Sequence, residues 1–163
     1  MAGNEKTASA ARKNVLRDVR AALGEMFGGG KLDAKQEVSV EVLFGLLGVL
    51  SRADGVVSDI EAHFTNELME ELNLSTSARK LATEAFGRGS HKKLSVDAEM
   101  KRLLATFPRD SSEVDSIYEG LLRMAAVDGT IRRGERMFLD QVTTGLGFAA
   151  GELDTRLQKV MPA

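Results

Sequence analysis

The chain has 163 residues, 43% apolar and 28% charged, which is globular composition with enough length for one domain and a real core. A formal net charge of −2, 5% aromatic residues and no Trp exclude both a strong basic field and a base-stacking platform, so nucleic acid is not an expected partner. With no Cys there are no disulfides, thiol nucleophiles or thiolate metal sites.

Only Pro108 and Pro162 occur, neither inside an apolar-periodic segment, which favours helices. Between Ala8 and Phe27, the residues Ala8, Ala11, Val15, Leu16, Val19, Ala22, Leu23 and Met26 recur at three- and four-residue steps and form one helical face. Lys13, Arg17 and Arg20 make a basic stripe opposite, and Gly28-Gly29-Gly30 then acts as a hinge. Residues 1–30 are therefore read as an N-terminal amphipathic helix and its joint. The stripe either lies in water above the domain or makes a weak contact with a membrane surface or an acidic partner.

The domain proper is expected over residues 31–163. Its first helix runs from about Asp33 to Arg52, with an end (Val42 to Leu50) apolar on most sides, the mark of a buried central helix. Asp54-Gly55 ends it. The following helices are predicted from Ser58 to near Asn73, and from a cap at Ser75 or Ser77 to Phe86, closed by Gly87-Arg88-Gly89. Others run from Ser95 to Phe107, stopped by Pro108, and from a cap at Ser111 or Ser112 to Val127, ended by Asp128-Gly129. The last two span about 133–144 and 150–161. No segment alternates with the two-residue period of a strand, so the fold class is all-α, with eight helices predicted along the chain. No run approaches the roughly 20 apolar residues of a membrane span, and no N-terminal run suits a signal peptide, which makes the cytoplasm the expected location.

An internal repeat organises these helices. Aligning Asp54 with Asp128, an offset of 128 − 54 = 74, pairs Leu47 with Leu121, Gly55 with Gly129, Val57 with Ile131, Glu61 with Glu135, Phe64 with Phe138 and Leu72 with Leu146. Self-similarity at a fixed offset indicates a duplicated helix–turn–helix unit, with repeat one over about 40–86 and repeat two over about 112–161. In each, an Asp-Gly turn is followed by an aliphatic residue and then a Glu.

Two readings of these acids stand side by side. In the structural one, Gly55 and Gly129 sit just past helix ends in a left-handed conformation. Ser58 and Glu61 then form a capping box. Repeat two has Arg132 where the capping hydroxyl belongs and still keeps Glu135, which points to a further role for the Glu. In the functional reading Asp54, Glu61, Asp128 and Glu135 pool their oxygens around a hard divalent cation, Ca²⁺, Mg²⁺ or Mn²⁺. An EF-hand is excluded. In its register the first and third ligand positions would be Leu50 and Arg52, or Met124 and Ala126, none of which carries a carboxylate.

The segments LLGVLSRADGVVSDIEAHFTNELMEELNLS and LLRMAAVDGTIRRGERMFLDQVTTGLGF resemble the two halves of a TerB-like domain, over roughly residues 40 to 160. That family includes tellurite-resistance proteins and the N-terminal region of DjlA-type co-chaperones. The resemblance implies a fold of seven or eight helices in two pseudo-symmetric repeats. It also implies a divalent-metal site at Asp54, Glu61, Asp128 and Glu135, although Arg132 and Arg133 bring positive charge to the second motif. The sequence contains no His-Pro-Asp tripeptide, and a membrane anchor is not expected from it.

The remaining motifs carry little. Gly28 to Lys31 lacks the Ser or Thr of a phosphate loop, since Leu32 stands there, and a helix precedes it. His63 and His91 are far apart, so zinc is poorly served, and His63 reads as a helix-surface residue. Lys92 and Lys93 beside His91 read as a solvated loop or an anion contact. No Ser pairs with a His in a triad pattern. The expected function is a non-enzymatic helical module for stress response, acting through protein partners and a divalent cation. The alternatives are a metal-dependent enzyme or subunit using the paired acids, and a purely structural interaction domain.

Overall fold

In a computed structural model of the chain, the described residues are 14, 16–21, 23, 26–27, 31–53, 59–127 and 129–161, with the side chains of 59–62 outside that set. The helical residues around 16–21 belong to α1. They are followed by α2 (Ala34–Ser51), α3 (Asp59–Glu71), α4 (Thr76–Ser90), α5 (Val96–Thr106), α6 (Ser112–Ala125), α7 (Arg133–Gly145) and α8 (Glu152–Val160). Among the described residues there is no strand, as the periodicity predicts.

Side-chain caps set several of the starts. Asp33 accepts from the Gln36 N–H at 2.8 Å while Gln36 Oε1 accepts from the Asp33 N–H at 2.9 Å, a complete capping box. Ser75, Ser95 and Ser111 each accept from the amide three residues on. Before Pro108, Phe107 is extended (φ −130°, ψ 142°), the conformation a following proline imposes, and α5 stops there.

The repeat offset reappears in the helix ends. Shifted by that offset, both ends of α3 fall on the ends of α7, and the last residue of α2 falls on the last residue of α6. Each of α3 and α7 closes with a left-handed residue, Asn73 (φ 53°) and Gly147 (φ 81°), inside a Schellman turn. The Leu74 N–H donates to the Met69 carbonyl and the Asn73 N–H to Glu70. The Phe148 and Gly147 N–H groups do the same to Thr143 and Thr144.

Helix α2 lies at the centre and packs on α3, α4, α5, α6 and α7. Its face is nearly all apolar, with Val40, Val42, Leu43, Phe44 and Leu46 fully buried. The tightest crossing is with α4. A β-carbon at Gly48 would stand 2.2 Å from the Phe86 carbonyl oxygen, and one at Gly89 would stand 2.1 Å from that of Gly45. The two backbones touch through glycine. This corrects the expectation that Gly87-Arg88-Gly89 closes the helix: α4 runs through all three to Ser90. Gly89 is there because only a hydrogen fits against α2.

On α1, Leu16, Val19 and Leu23 are buried in the same core, together with Phe27 beyond it. Leu23 lies over Gly120 of α6. Arg17 and Arg20 face outward, and Arg20 pairs with Glu71 at 3.3 Å. The segment thus lays its apolar face on the bundle with its basic face in water. Lys13 and the hinge at 28–30 lie outside the described residues. Among the described residues no helix is long and apolar enough to cross a membrane.

Candidate functional site

The second motif is built from the end of α6 to the first turn of α7. The Ala126 N–H donates to the Leu122 carbonyl and closes α6, and the Ala126 carbonyl in turn accepts from the Gly129 N–H at 2.9 Å. Gly129 has φ 78°, the left-handed conformation expected of it, although it closes a turn three residues beyond the helix cap rather than capping the helix directly. Ile131 packs against the core, and Arg132 is the extended residue before α7.

Glu135 is the third residue of α7 and is buried (8% exposed). Its Oε1 accepts from the Arg132 backbone N–H at 3.2 Å. This is one half of a capping box, and it satisfies an amide that the helix cannot. The reciprocal half is chemically closed to Arg132, because a guanidinium has no acceptor. Retention of Glu135 without a capping hydroxyl therefore has a structural explanation: the half that the Glu contributes needs only the backbone at position 132.

In the first motif, Glu61 is likewise the third residue of its helix, α3, and its side chain lies outside the described set. Asp54 and Asp128 lie outside the described residues altogether. So one of the four predicted acids, Glu135, has a described side chain. Among the described residues no three of His, Cys, Asp and Glu converge as metal ligands do, a set that holds only Glu135 of the four. Arg52 caps α2 immediately before the first motif, and its Nε is buried with no hydrogen-bond partner among the described residues. Cationic residues thus flank both motifs, with Arg132 and Arg133 after the second.

The histidines sit as surface groups. His63 pairs with Glu67 one turn on at 3.4 Å. His91 caps α4, and its Nδ1 lies 2.7 Å from the Gly87 carbonyl; a carbonyl only accepts, so this nitrogen carries the proton.

Two polar arrangements were not anticipated from the sequence. Arg156 of α8 lies over the Tyr118 and Phe148 rings, 5.1 and 5.0 Å from their centroids, and holds Asp115 at 2.6 Å and Glu152 at 2.7 Å. Thr143 donates to the Leu139 carbonyl, so Tyr118 must donate to Thr143 across their 2.6 Å contact; burial also pushes the Tyr118 hydroxyl pKa up and keeps it protonated. An open groove of about 280 Å³ runs beside this cluster between α6 and α8, lined by Asp115, Glu119, Leu122, Glu152, Arg156, Lys159 and Val160. Elsewhere Glu41 of α2 joins Arg88 of α4 and Arg102 of α5, and Arg102 also reaches Glu99. The only sequence signal for either cluster was opposite charge at helical spacing, which says nothing of partners on other helices.

The chain is similar to several co-chaperone proteins DjlA. It is 28% identical to that of Vibrio parahaemolyticus over 133 residues, covering 81% of this chain and 47% of the relative. It is 25% identical to that of Photobacterium profundum over 152 residues (90% and 53%) and to that of Shewanella oneidensis over 130 residues (80% and 50%). The chain spans about half the length of these curated relatives. No solved structure gives a significant match. The family model described as tellurite resistance protein TerB matches residues 41–157, from the centre of α2 into α8 and across both Asp-Gly motifs; the chain belongs to the TerB family.

Proposed function

We propose that this chain is a non-enzymatic, helical protein-interaction module of the TerB family, serving a stress response of the tellurite-resistance kind in the cytoplasm. The observation that carries the reading is the family match over residues 41–157, joined to similarity along most of the chain with proteins named as co-chaperones. A co-chaperone works by contact with other proteins, and an interaction module needs a rigid body with varied surface groups. The continuous core from α1 to α8 supplies such a body.

A divalent cation held by Asp54, Glu61, Asp128 and Glu135 is the second part of the proposal. Glu61 and Glu135 occupy the same third position of the two helices that the repeat offset pairs, and both follow an Asp-Gly turn. Four carboxylates would suit Ca²⁺, Mg²⁺ or Mn²⁺.

The interaction reading is tested by affinity capture from the native host with the whole chain as bait, followed by identification and reconstitution of the captured protein in purified form. A defined partner that binds the purified chain is the expected result; a bait that captures nothing reproducible refutes it. The cation is tested by calorimetric titration and thermal melting with each ion. Binding should raise Tm by mass action on the folded state, and an absence of both heat and Tm shift refutes that part alone.

A further inference from the structure

We propose that the loop joining α4 to α5, His91-Lys92-Lys93, is a docking point for an acidic segment of a partner protein. The inference rests on the reading of the chain as an interaction module and names the surface and the chemistry of what binds it.

Among the described residues three helices end in the same Schellman turn. Two place at the left-handed position a residue that tolerates it, Asn73 after α3 and Gly147 after α7. The third, after α4, places Lys92 there with φ 59°; the Lys92 N–H donates to the Gly89 carbonyl and the Lys93 N–H to Arg88. Nothing in the backbone calls for a lysine. A β-carbon in that conformation is strained, so glycine, which has none, or asparagine, whose short amide side chain hydrogen-bonds to the local backbone, would stabilise the turn. A strained residue held in place by its surroundings is a marker of function.

The loop is fixed beneath the lysines. His91 donates to the Gly87 carbonyl, and Leu94 reaches so close to Gly45 that a β-carbon there would meet its Cδ1 at 2.6 Å. His91, Lys92 and Lys93 are all exposed, so the two ammonium groups project into solvent from a backbone that is held in place. The neighbouring arginines are already engaged: Arg88 and Arg102 hold Glu41, and Arg102 also faces Glu99. Among the ion pairs of the described residues Lys92 and Lys93 take no part. On a chain of net charge −2 this makes a local basic spot that orients an acidic partner.

An acidic protein segment fits better than an anionic membrane. Among the described residues the exposed large apolar side chain is Met137, on α7, and none adjoins the lysines to enter lipid.

A competing account is that Lys92 and Lys93 merely complement the carbonyl end of α4. The test uses the whole chain, a poly-glutamate peptide as probe, and calorimetric titration at low and physiological ionic strength. The wild type should bind at low salt and weaken as salt rises. A double variant, Lys92→Asn with Lys93→Gln, should lose about threefold or more in affinity, since each exposed ion pair is individually weak. Its Tm should match or exceed the wild type's because Asn relieves the strained turn. A control, Lys31→Gln with Lys35→Gln, just before α2 and in its first turn, should bind as the wild type does.

The proposal is overturned by a wild type that does not bind the peptide, by a double variant that binds unchanged, or by a control that loses as much. A fall in the double variant's Tm would give the lysines to the helix end instead and also overturn it. Tighter binding to phosphatidylserine vesicles than to the peptide would replace the acidic protein by a membrane. If a reconstituted partner binds the double variant as well as the wild type, the interaction-module reading stands and this loop is removed from it.

Discussion

Gly87 and Gly89, two positions apart on α4, give opposite expectations for the same chemical change. At Gly87 an added methyl group meets nothing within 4 Å, so Gly87→Ala should simply gain helix propensity, about 1 kcal/mol of added stability. At Gly89 the same methyl would stand 2.1 Å from the Gly45 carbonyl oxygen and 2.8 Å from the Val49 nitrogen. Both obstacles are backbone of α2, which cannot step aside as a side-chain end can. Carbon and oxygen need about 3.3 Å, so the helices must part by about 1.2 Å. A gap of 0.5–1 Å (about that size) already forfeits roughly a quarter to a half of each contact along the pair. Overpacking typically costs about 1–3 kcal/mol, and a backbone clash in the most extensive helix pair lies at the upper end. Set against the propensity gain, Gly89→Ala should lose about 2 kcal/mol. The assay is denaturant unfolding of both variants, read as the midpoint at unchanged slope. A Gly89→Ala midpoint at or above that of the wild type refutes the close crossing, and Gly87→Ala guards against a general intolerance of change in α4.

Three further expectations follow from single contacts. Gly129→Ala and Gly147→Ala place a β-carbon at φ 78° and 81° and should each cost about 1–2 kcal/mol, measured by chemical denaturation; unchanged midpoints would remove the strain argument. Glu135→Ala should cost about 1 kcal/mol by orphaning the Arg132 amide, while Glu135→Gln keeps an acceptor there and should cost little. Equal losses would show that the charge and not the cap is what the position needs. Glu99 gives a pH dependence. Burial raises its carboxyl pKa, with Arg102 and Arg88 opposing and Glu41 assisting. A folded-state value above the unfolded one favours folding fully below about pH 4.3 and loses that contribution as pH rises through the folded value. Glu99→Gln should therefore match or raise Tm at neutral pH, and that advantage should vanish in acid. A lower Tm at neutral pH would mean that the Arg102 contact outweighs burial.

Helix faces were legible in the sequence because they depend on local spacing. The repeat offset was read from pairs such as Leu72 with Leu146 and Phe64 with Phe138, and the ends of α3 and α7, with their Schellman bonds, recur at the same shift. The end of α4 was not legible. A glycine that stops a helix and a glycine that lets another helix approach look alike in sequence, and only the partner tells them apart. The signal was available on that partner: Gly45 and Gly48, one turn apart within the apolar block of α2, mark a face made for close approach. The candidate acids were legible as a pattern and not as a role, since a carboxylate at the third residue of a helix serves a cap and a cation equally well. Glu135 shows the cap in place.

The same offset shows where the two repeats part company. In repeat two, the positions equivalent to Gly45 and Gly48 are Glu119 and Leu122. In repeat one the glycines let α4 close on α2 until the backbones touch. In repeat two the larger side chains forbid that approach, and an open groove separates α6 from α8, with Glu119 and Leu122 in its wall. Arg156, stacked on Tyr118 and Phe148 and tied to Asp115 and Glu152, holds α8 to α6 where direct backbone contact does not. Duplicated units keep their helix faces because each must still bury an apolar stripe. The distance between helices is set by one or two residues, so it can change without loss of the fold. The two halves therefore differ most in helix spacing at such positions, where a glycine in one aligns with a larger residue in the other.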